Sequence, residues 1–405
     1  MKVNNDIFSD DFYMMGIDAD DFRKAIRKVS DETACCKVNS ANFRIISVID
    51  SDRDGFLMMR LNPTALTMKS MIYSESYKED YYFADKNENY GFLSYDLMRR
   101  NGITDAMIDE IRRCGFFLLY AMGDREMIII PSESSLNDLY KEFDISKIDS
   151  GINPLRNLYL SSLMARCKDF QILLRRKEDI YRLCGTASQK HMYLSLEDTA
   201  GMLLDGLMKN HSDAQVMSWH VSQRETAVNL SFNDRTFMVG GTEVRPGAQI
   251  LASDFGQTAM AIRNILYVNE APLILSFKSS LRNIGSALPE TVLSSYEADG
   301  YHLLDNVQKR IEDVIGKMKP EAAEEEYMKQ LDRKYGFISE LGNKNYAKYL
   351  AEYPYETGTV TAEKAVERLL NMTGFTQDIV KPYAVEKLSA AVGRIAGENG
   401  KGVKH

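Results

Sequence analysis

The strongest constraint on the fold lies between residues 216 and 268, where short apolar runs alternate with clusters of turn-forming residues. Runs of this length predict β-strands, and links of a few residues join strands that run antiparallel. The links are predicted at residues 223–224, at 245–247 and at 254–256. The stretch therefore predicts an antiparallel sheet at the centre of the protein.

The pattern changes on either side of this stretch. From about residue 289 apolar residues recur at spacings of three and four, as at Leu304, Val307 and Ile311, which is typical of helices. The N-terminal half mixes strand-like and helix-like segments, including a hairpin predicted across residues 43–61. We therefore predict an α+β fold. Its predicted domains are a mixed N-terminal domain at 1–150, a central antiparallel sheet domain at 151–288 and a helical C-terminal region at 289–405.

Three hydroxyl side chains are placed to cap helices. Thr104 and Ser132 each precede a segment with helical periodicity. Ser195, followed three residues later by Asp198, resembles a capping box. The helix that Ser195 opens is predicted to reach residue 210 and to pack against the central sheet.

Charge and cysteine content limit the class of protein. The 405 residues carry a net charge of −8, which gives no support to polyanion binding by the molecule as a whole. The five cysteines are odd in number and lack the pairing typical of zinc sites, so free thiols in a reducing compartment are expected. No leader sequence and no apolar run of membrane-spanning length is recognisable, so a cytoplasmic protein without a membrane partner is predicted.

A second predicted hairpin, with its turn at residues 176–179, is the most basic part of the central region. The window 166–190 holds seven basic residues against three acidic ones, a net charge of +4. A cationic hairpin of this kind either contacts phosphates or serves as a solvated turn, and the sequence leaves both open. With two arginines of the central sheet added, the candidate nucleic-acid-binding residues are Arg166, Lys168, Arg175, Arg176, Lys177, Arg182, Lys190, Arg245 and Arg263.

Two features of the N-terminal half imitate binding motifs. Residues 50–55 match the first half of a calcium loop, but Leu61 occupies the position of the bidentate glutamate, so a hairpin turn is the favoured interpretation. Aromatic residues crowd the segment 72–95, where they are either a stacking platform for bases or half-buried strand edges. Few basic residues accompany them, which favours strand edges. No metal site and no cofactor is predicted.

The central stretch also contains candidates for an enzyme site. Residues 254–256 spell the Asp-Phe-Gly tripeptide that binds magnesium in protein kinases, but the glycine-rich loop, strand lysine and catalytic loop that this chemistry needs are absent upstream. A turn in which the glycine adopts a positive φ is the favoured interpretation. The candidate residues around this turn are Trp219, His220, Ser253, Asp254, Gly256 and Arg263.

The order of features from the basic hairpin onward resembles a family of phage- and plasmid-borne proteins, the domain of unknown function nine hundred thirty-two. The resemblance rests on Arg175 and Tyr181 in the hairpin, Tyr193 leading into a helix with Glu197, and then Trp219. It continues through the strand segments 250–256 and 259–263 into a helical end and covers roughly residues 165–395. The resemblance implies a mobile-element accessory protein and supplies no reaction and no catalytic residue.

Three functional hypotheses follow. The first is a non-enzymatic, phage- or plasmid-derived protein that handles DNA or RNA through the local basic patch. The second is a structural or interaction protein of a mobile element, such as a virion component or an inhibitor of a host enzyme, which would associate with itself or with a protein partner. The third is an enzyme whose site is assembled from Trp219, His220, Asp254 and Arg263.

Overall fold

The computed structural model confirms the α+β prediction. It describes residues 3–9, 11–49, 56–60, 81–83, 90–100, 103–122, 125–145, 160, 162–177, 180–190, 192–254, 259–275, 288–376 and 382–396. Contacts divide the chain into two compact units. The first unit comprises Met1–Met14, Lys24–Leu196 and Val221–Arg224, and the second comprises Met15–Arg23, Glu197–His220 and Glu225–His405. The hairpin that the sequence assigned to a central domain therefore belongs to the N-terminal unit.

The first unit is built on a nine-stranded sheet with the order β2-β9-β10-β8-β7-β3-β4-β6-β5. Neighbouring strands are antiparallel except β8 and β10, which are parallel and therefore need a longer connection between them. Its strands are β2 (Thr33–Asn39), β3 (Phe43–Ile49), β4 (Phe56–Arg60), β5 (Tyr81–Phe83), β6 (Tyr90–Ser94), β7 (Phe116–Met122), β8 (Arg125–Pro131), β9 (Asp169–Lys177) and β10 (Ile180–Ser188).

Both hairpins predicted in this unit are confirmed. Strand β3 pairs antiparallel with β4, and β9 pairs antiparallel with β10. The calcium-like residues 50–55 lie outside the described residues, as does most of the aromatic segment 72–95, of which the described parts are β5, β6 and the start of a helix at Tyr95.

The helices of the first unit begin where the sequence places their caps. The side chain of Thr104 accepts a hydrogen bond from the backbone N–H of Met107 at the start of the helix Asp105–Cys114. Ser132 and Ser135 form a reciprocal capping box at the start of the helix Glu133–Glu142, which follows β8 and packs against β10. The other described helices here are Ala19–Asp31, whose first five residues belong to the second unit, and Tyr95–Arg100.

Strand β9 carries a fully buried arginine. Arg175 is 0% exposed, and its guanidinium group donates to the backbone carbonyl of Ile7 and to the Gln223 side chain while lying 4.5 Å over the ring of Phe12. Gln223 in turn donates to the backbone carbonyl of Cys184 in β10. The buried charge thus connects the β9–β10 hairpin to two segments that are distant in sequence, the N-terminal segment at Ile7 and the turn at Gln223. All of them belong to the first unit.

We expect Arg175→Ala to destabilise the protein by about 3 kcal/mol, because it opens a cavity and leaves buried acceptors without their donor. Arg176→Ala removes the same side chain from the next position of β9, where it is exposed, and is expected to cost less than about 0.5 kcal/mol. Urea unfolding of both variants measures the difference. Equal free energies of unfolding for the two variants would contradict a structural role for Arg175.

The second unit is built on a seven-stranded sheet with the order β1-β11-β12-β14-β15-β16, and β13 pairs with β14 beside this path. Strands β12, β13, β14, β15 and β16 form antiparallel pairs with their neighbours, so the predicted central antiparallel sheet is confirmed. Its strands are β1 (Tyr13–Gly16), β11 (Ala214–Ser222), β12 (Thr226–Phe232), β13 (Phe237–Val239), β14 (Thr242–Ala252), β15 (Ala261–Val268) and β16 (Ala271–Ile274).

The turn predicted at residues 245–247 is wrong, because β14 runs straight through it. On one side of β14, pairing with β13 ends at Val244 and pairing with β12 begins at Gly247. Pro246 lies in the gap between these partners, where no neighbouring strand requires the backbone N–H that proline lacks. At Gly247 a Cβ would approach the carbonyl oxygen of Leu230 to 2.0 Å, so the close approach of β12 requires glycine.

The helix predicted to open at Ser195 begins differently. A π-helical turn, Glu197–Gly201, precedes the α-helix Met202–Asn210, and that α-helix has no side-chain cap. The buried residues Leu203, Leu204 and Leu207 give it one apolar face.

The predicted helical C-terminal region is confirmed. Its helices are Pro289–Ser295, a π turn Tyr296–Gly300, the short turns Tyr301–Leu303 and Leu304–Asn306, Val307–Gly316, Glu324–Tyr335, Phe337–Leu341, Asn343–Glu352, Ala362–Thr376 and Pro382–Gly393, with a small sheet of β17 (Glu321–Ala323) and β18 (Thr359–Thr361) among them. Buried Asn264 of β15 holds the π turn, since it donates to Gly300 O and accepts from the Tyr296 hydroxyl. Among the helices that the structure describes, none has the length and apolar content needed to cross a membrane.

The last helix covers the edge strand β16. The backbone N–H of Ile274 donates to Ser389 Oγ, and a Cβ at Gly393 would lie 2.1 Å from the carbonyl oxygen of Ile274. The edge is therefore closed by a helix that approaches backbone to backbone.

We expect Gly393→Ala to destabilise the protein by about 2 kcal/mol, since the added methyl group meets backbone that cannot rotate away. Gly316→Ala is the matched control, because Gly316 also ends a helix but has nothing within 4 Å of the position of an added Cβ. That variant is expected to be neutral or slightly stabilising. Thermal unfolding compares the two, and a neutral Gly393→Ala would show that the helix does not approach β16 this closely.

Candidate ligand-binding face

One face of the second sheet carries a continuous row of polar side chains. Asn229 lies opposite Gln249, and Gln249 lies opposite Arg263, so β12, β14 and β15 contribute one residue each at the same level. Ser218 of β11 extends the row through a hydrogen bond with Asn229. All four side chains are partly exposed, although the sheet around them is built largely from buried residues. We call these four residues the polar row.

The hydrogen bonds of the polar row all run in one direction. Arg263 Nε donates to Gln249 Oε1 at 2.5 Å, Gln249 Nε2 donates to Asn229 Oδ1 at 2.7 Å, and Asn229 Nδ2 donates to Ser218 Oγ at 2.9 Å. A guanidinium group can only donate, so Arg263 fixes the orientation of the Gln249 amide, which fixes that of Asn229. The Ser218 hydroxyl, having accepted from Asn229, retains its own proton for a further acceptor.

The face that carries the polar row is concave. Tyr267 of β15 lies beside the Ser218 side chain of β11, close enough for their interaction to influence the tyrosine, although the strand order places β12 and β14 between them. Three strand spacings in a flat sheet span about 14 Å, beyond the reach of these two side chains. The sheet therefore curls, and Tyr267, only 2% exposed, lies within the curve.

Burial determines the ionisation of Tyr267. Desolvation raises its pKa, and the neighbouring Ser218 and Arg245 side chains lower it by less. The tyrosine oxygen is buried, and the Ser218 hydroxyl is its polar neighbour. The phenol is therefore held neutral at the floor of the concave face.

The sheet arginines Arg245 and Arg263 lie on this same face, since Arg245 is opposite Tyr267 and is four residues from Gln249 along β14. Arg245 is paired with two carboxylates, Glu243 at 3.0 Å and Glu270 at 2.6 Å. The charge of Arg245 is therefore locally compensated. The guanidinium group of the polar row is that of Arg263.

The predicted enzyme residues do not form one group. Trp219 alternates with Ser218 along β11, so it points to the opposite face, where its indole N–H donates to Asp18 O and its ring contacts Phe22. His220 returns to the concave side and lies 3.5 Å from Glu225. Ser253 and Asp254 follow β14, and Gly256 lies outside the described residues. Of the predicted residues, His220 and Arg263 share the face with the polar row.

The described residues of the predicted basic patch on β9 and β10 do not form one surface. The assignment of Arg175 and Arg182 to it is wrong, because both side chains are buried, at 0% and 2% exposure. Lys168 is exposed but pairs with Glu142 at 2.9 Å.

The remaining cations of the hairpin are split between its two ends. Arg166 and Lys190 are exposed at the open end, and Arg176 is exposed near the turn, about 25 Å away along β9. The side chain of Lys177 lies outside the described residues. The described cations of the hairpin therefore do not form a single cationic groove.

No family model, curated protein or solved structure matches the chain. The resemblance to the phage and plasmid family therefore stays a prediction. Among the described residues no three His, Cys, Asp or Glu side chains are grouped to hold a metal ion. All five cysteines are free thiols, as predicted.

Sequence reasoning missed Ser218, Asn229 and Gln249 because it searched for charged and catalytic residue types. The available signal was a neutral polar residue flanked by apolar residues within a strand, as at Asn229 between Val228 and Leu230. Such a residue in three adjacent strands predicts a shared polar face once the strands are aligned. The alignment itself needs the register.

We expect Tyr267→Phe to change stability by less than about 1 kcal/mol at pH 7, because the desolvation of the buried hydroxyl offsets its interaction with Ser218. Above about pH 10 an unfolded tyrosine ionises while the folded one, with its raised pKa, stays neutral, so wild-type stability falls with rising pH. The phenylalanine variant lacks this contribution and should lose stability less steeply. Urea unfolding at pH 7 and at about pH 10.5 checks this, and parallel losses for both proteins would contradict it.

Proposed function

We propose that the protein is a non-enzymatic binding protein that holds single-stranded nucleic acid on the concave face of its second sheet, chiefly through base edges. The observation that carries this proposal is the polar row, a chain of amide, hydroxyl and guanidinium groups across four adjacent strands. Arginine, asparagine and glutamine are the side chains that pair with base edges through matched donors and acceptors. Unpaired bases expose those edges in a single strand.

The charges around the polar row favour base contacts over phosphate contacts. Arg245 is already paired with Glu243 and Glu270, and the chain as a whole has a net charge of −8. A binding mode dominated by phosphates would need several uncompensated cations along one groove. We therefore expect affinity that falls only shallowly with salt.

The composition of the polar row favours binding over catalysis. Its members are a serine, two amides and an arginine, none of which serves as a proton acceptor near neutral pH without an activating partner. His220 on the same face faces Glu225 rather than the polar row, as judged by the 3.5 Å separation of its Nε2 from that carboxylate. The enzyme hypothesis thus has less support than the binding hypothesis, and a phage or plasmid origin would be compatible with either.

Fluorescence anisotropy with a labelled single strand of about 12 nucleotides at about 50 mM salt tests the proposal. Arg263→Gln is expected to weaken binding by about 1–3 kcal/mol, because it removes the guanidinium group and releases the orientation of the whole polar row. Arg176→Gln is the control, since this exposed arginine lies on the basic hairpin and not on the concave face.

Each result decides between the alternatives. Loss of affinity in Arg263→Gln with wild-type affinity in Arg176→Gln supports the concave face. The reverse pattern would assign binding to the hairpin. A wild-type protein without affinity for single strands would overturn the proposal and favour the structural or interaction protein.

A further inference from the structure

The edge strand beside the polar row exposes apolar side chains. Strand β1 is the outermost strand of the second sheet and pairs with β11, which carries Ser218. Met15 in β1 is 54% exposed, and Ile17, directly after it, is 75% exposed. The intervening Gly16 and the preceding Met14 are much less accessible, and Met14 is 7% exposed. Within the strand, Met15 is therefore the exposed large apolar side chain, and Ile17 extends the exposed apolar surface beyond the end of the strand.

That side is the side of the polar row. A Cβ added at Gly16 would lie 2.6 Å from the Trp219 ring, so position 16 faces the same side of the sheet as Trp219. Successive residues of a strand point to opposite sides. Met15 therefore lies opposite to Trp219, and so does Ser218, which neighbours Trp219 in β11. Met15 and the polar row share one face with no other strand between them, and the exposed Ile17 follows directly after the end of β1.

Resting on the proposed function, we infer that Met15 and Ile17 form an apolar ledge on which bases of the bound strand pack. The polar row presents hydrogen-bonding groups to base edges, whereas the flat faces of bases need apolar or aromatic contact. A flexible thioether suits faces of differing shape, since methionine adapts to irregular partners. The neighbouring carboxylate of Asp18 disfavours phosphate at this edge, so the contact involves bases and not the backbone.

The experiment compares two ligands on the full chain, a 12-nucleotide thymidine strand and an abasic strand of the same length, at about 50 mM salt. Met15→Gln keeps the approximate side-chain volume and Ile17→Thr keeps the branch at Cβ, and both replace apolar with polar surface. Each is expected to weaken binding of the thymidine strand by about tenfold and binding of the abasic strand by less than about twofold. Met202→Gln is the matched control, an exposed methionine of the second unit on the helix Met202–Asn210, and is expected to bind both strands as the wild type does.

The outcomes separate the ledge from the polar row. If Arg263→Gln weakens binding but Met15→Gln and Ile17→Thr leave thymidine affinity within twofold of wild type, the ledge is refuted while the proposed function stands. If both ledge variants weaken the two ligands equally, the contact is not with bases and the inference is again refuted. If the wild type binds neither ligand, the proposed function fails and the ledge fails with it. Circular dichroism of each variant is the control that checks whether these exposed substitutions leave the fold intact.

Discussion

A buried polar group must find partners inside the protein, and this requirement shapes both units. The side chain of Arg175 enters the core of the first unit, where leaving a guanidinium group unpaired would cost several kcal/mol. Its acceptors come from Ile7 and Gln223, positions 168 and 48 residues away in sequence. The N-terminal segment and the Gln223 turn are thus held by a charge that can be buried only when both are in place.

The same requirement acts on the second unit at lower cost, because its inward-facing groups are mostly neutral. Each amide of the polar row accepts one hydrogen bond and donates one within the row, and it keeps one N–H and one lone pair. Side-chain hydrogen bonds therefore link the four strands in addition to the backbone ladder. The helical segment on the other side depends on Asn264, which bonds to both ends of a π turn. Pairs of elements that pack through apolar contacts alone can slide, whereas these hydrogen bonds permit one arrangement.

Local patterns in the sequence predict the elements of this protein better than their environments. Alternating apolar residues identify the strands, and the caps at Thr104 and Ser132 are readable because a cap involves residues only three apart. The burial of Arg175 and Arg182 cannot be predicted from local sequence, because the same basic residue occurs in a strand whether its side chain contacts solvent or a carbonyl group distant in sequence. Of the candidate site, Arg263 was named from the sequence, but its grouping with Asn229 and Gln249 depends on strand register, which local patterns do not specify.

Pro246 and Gly247 show how two residues that usually end strands can identify a strand instead. If β14 shifted by one residue against β12, proline would face a partner that needs its missing N–H, and a side chain would meet the carbonyl of Leu230. The same shift would turn Gln249 to the far side of the sheet and dismantle the polar row. The proline–glycine pair therefore selects one register, because it disfavours the misaligned sheets in which the concave face would lack the polar row.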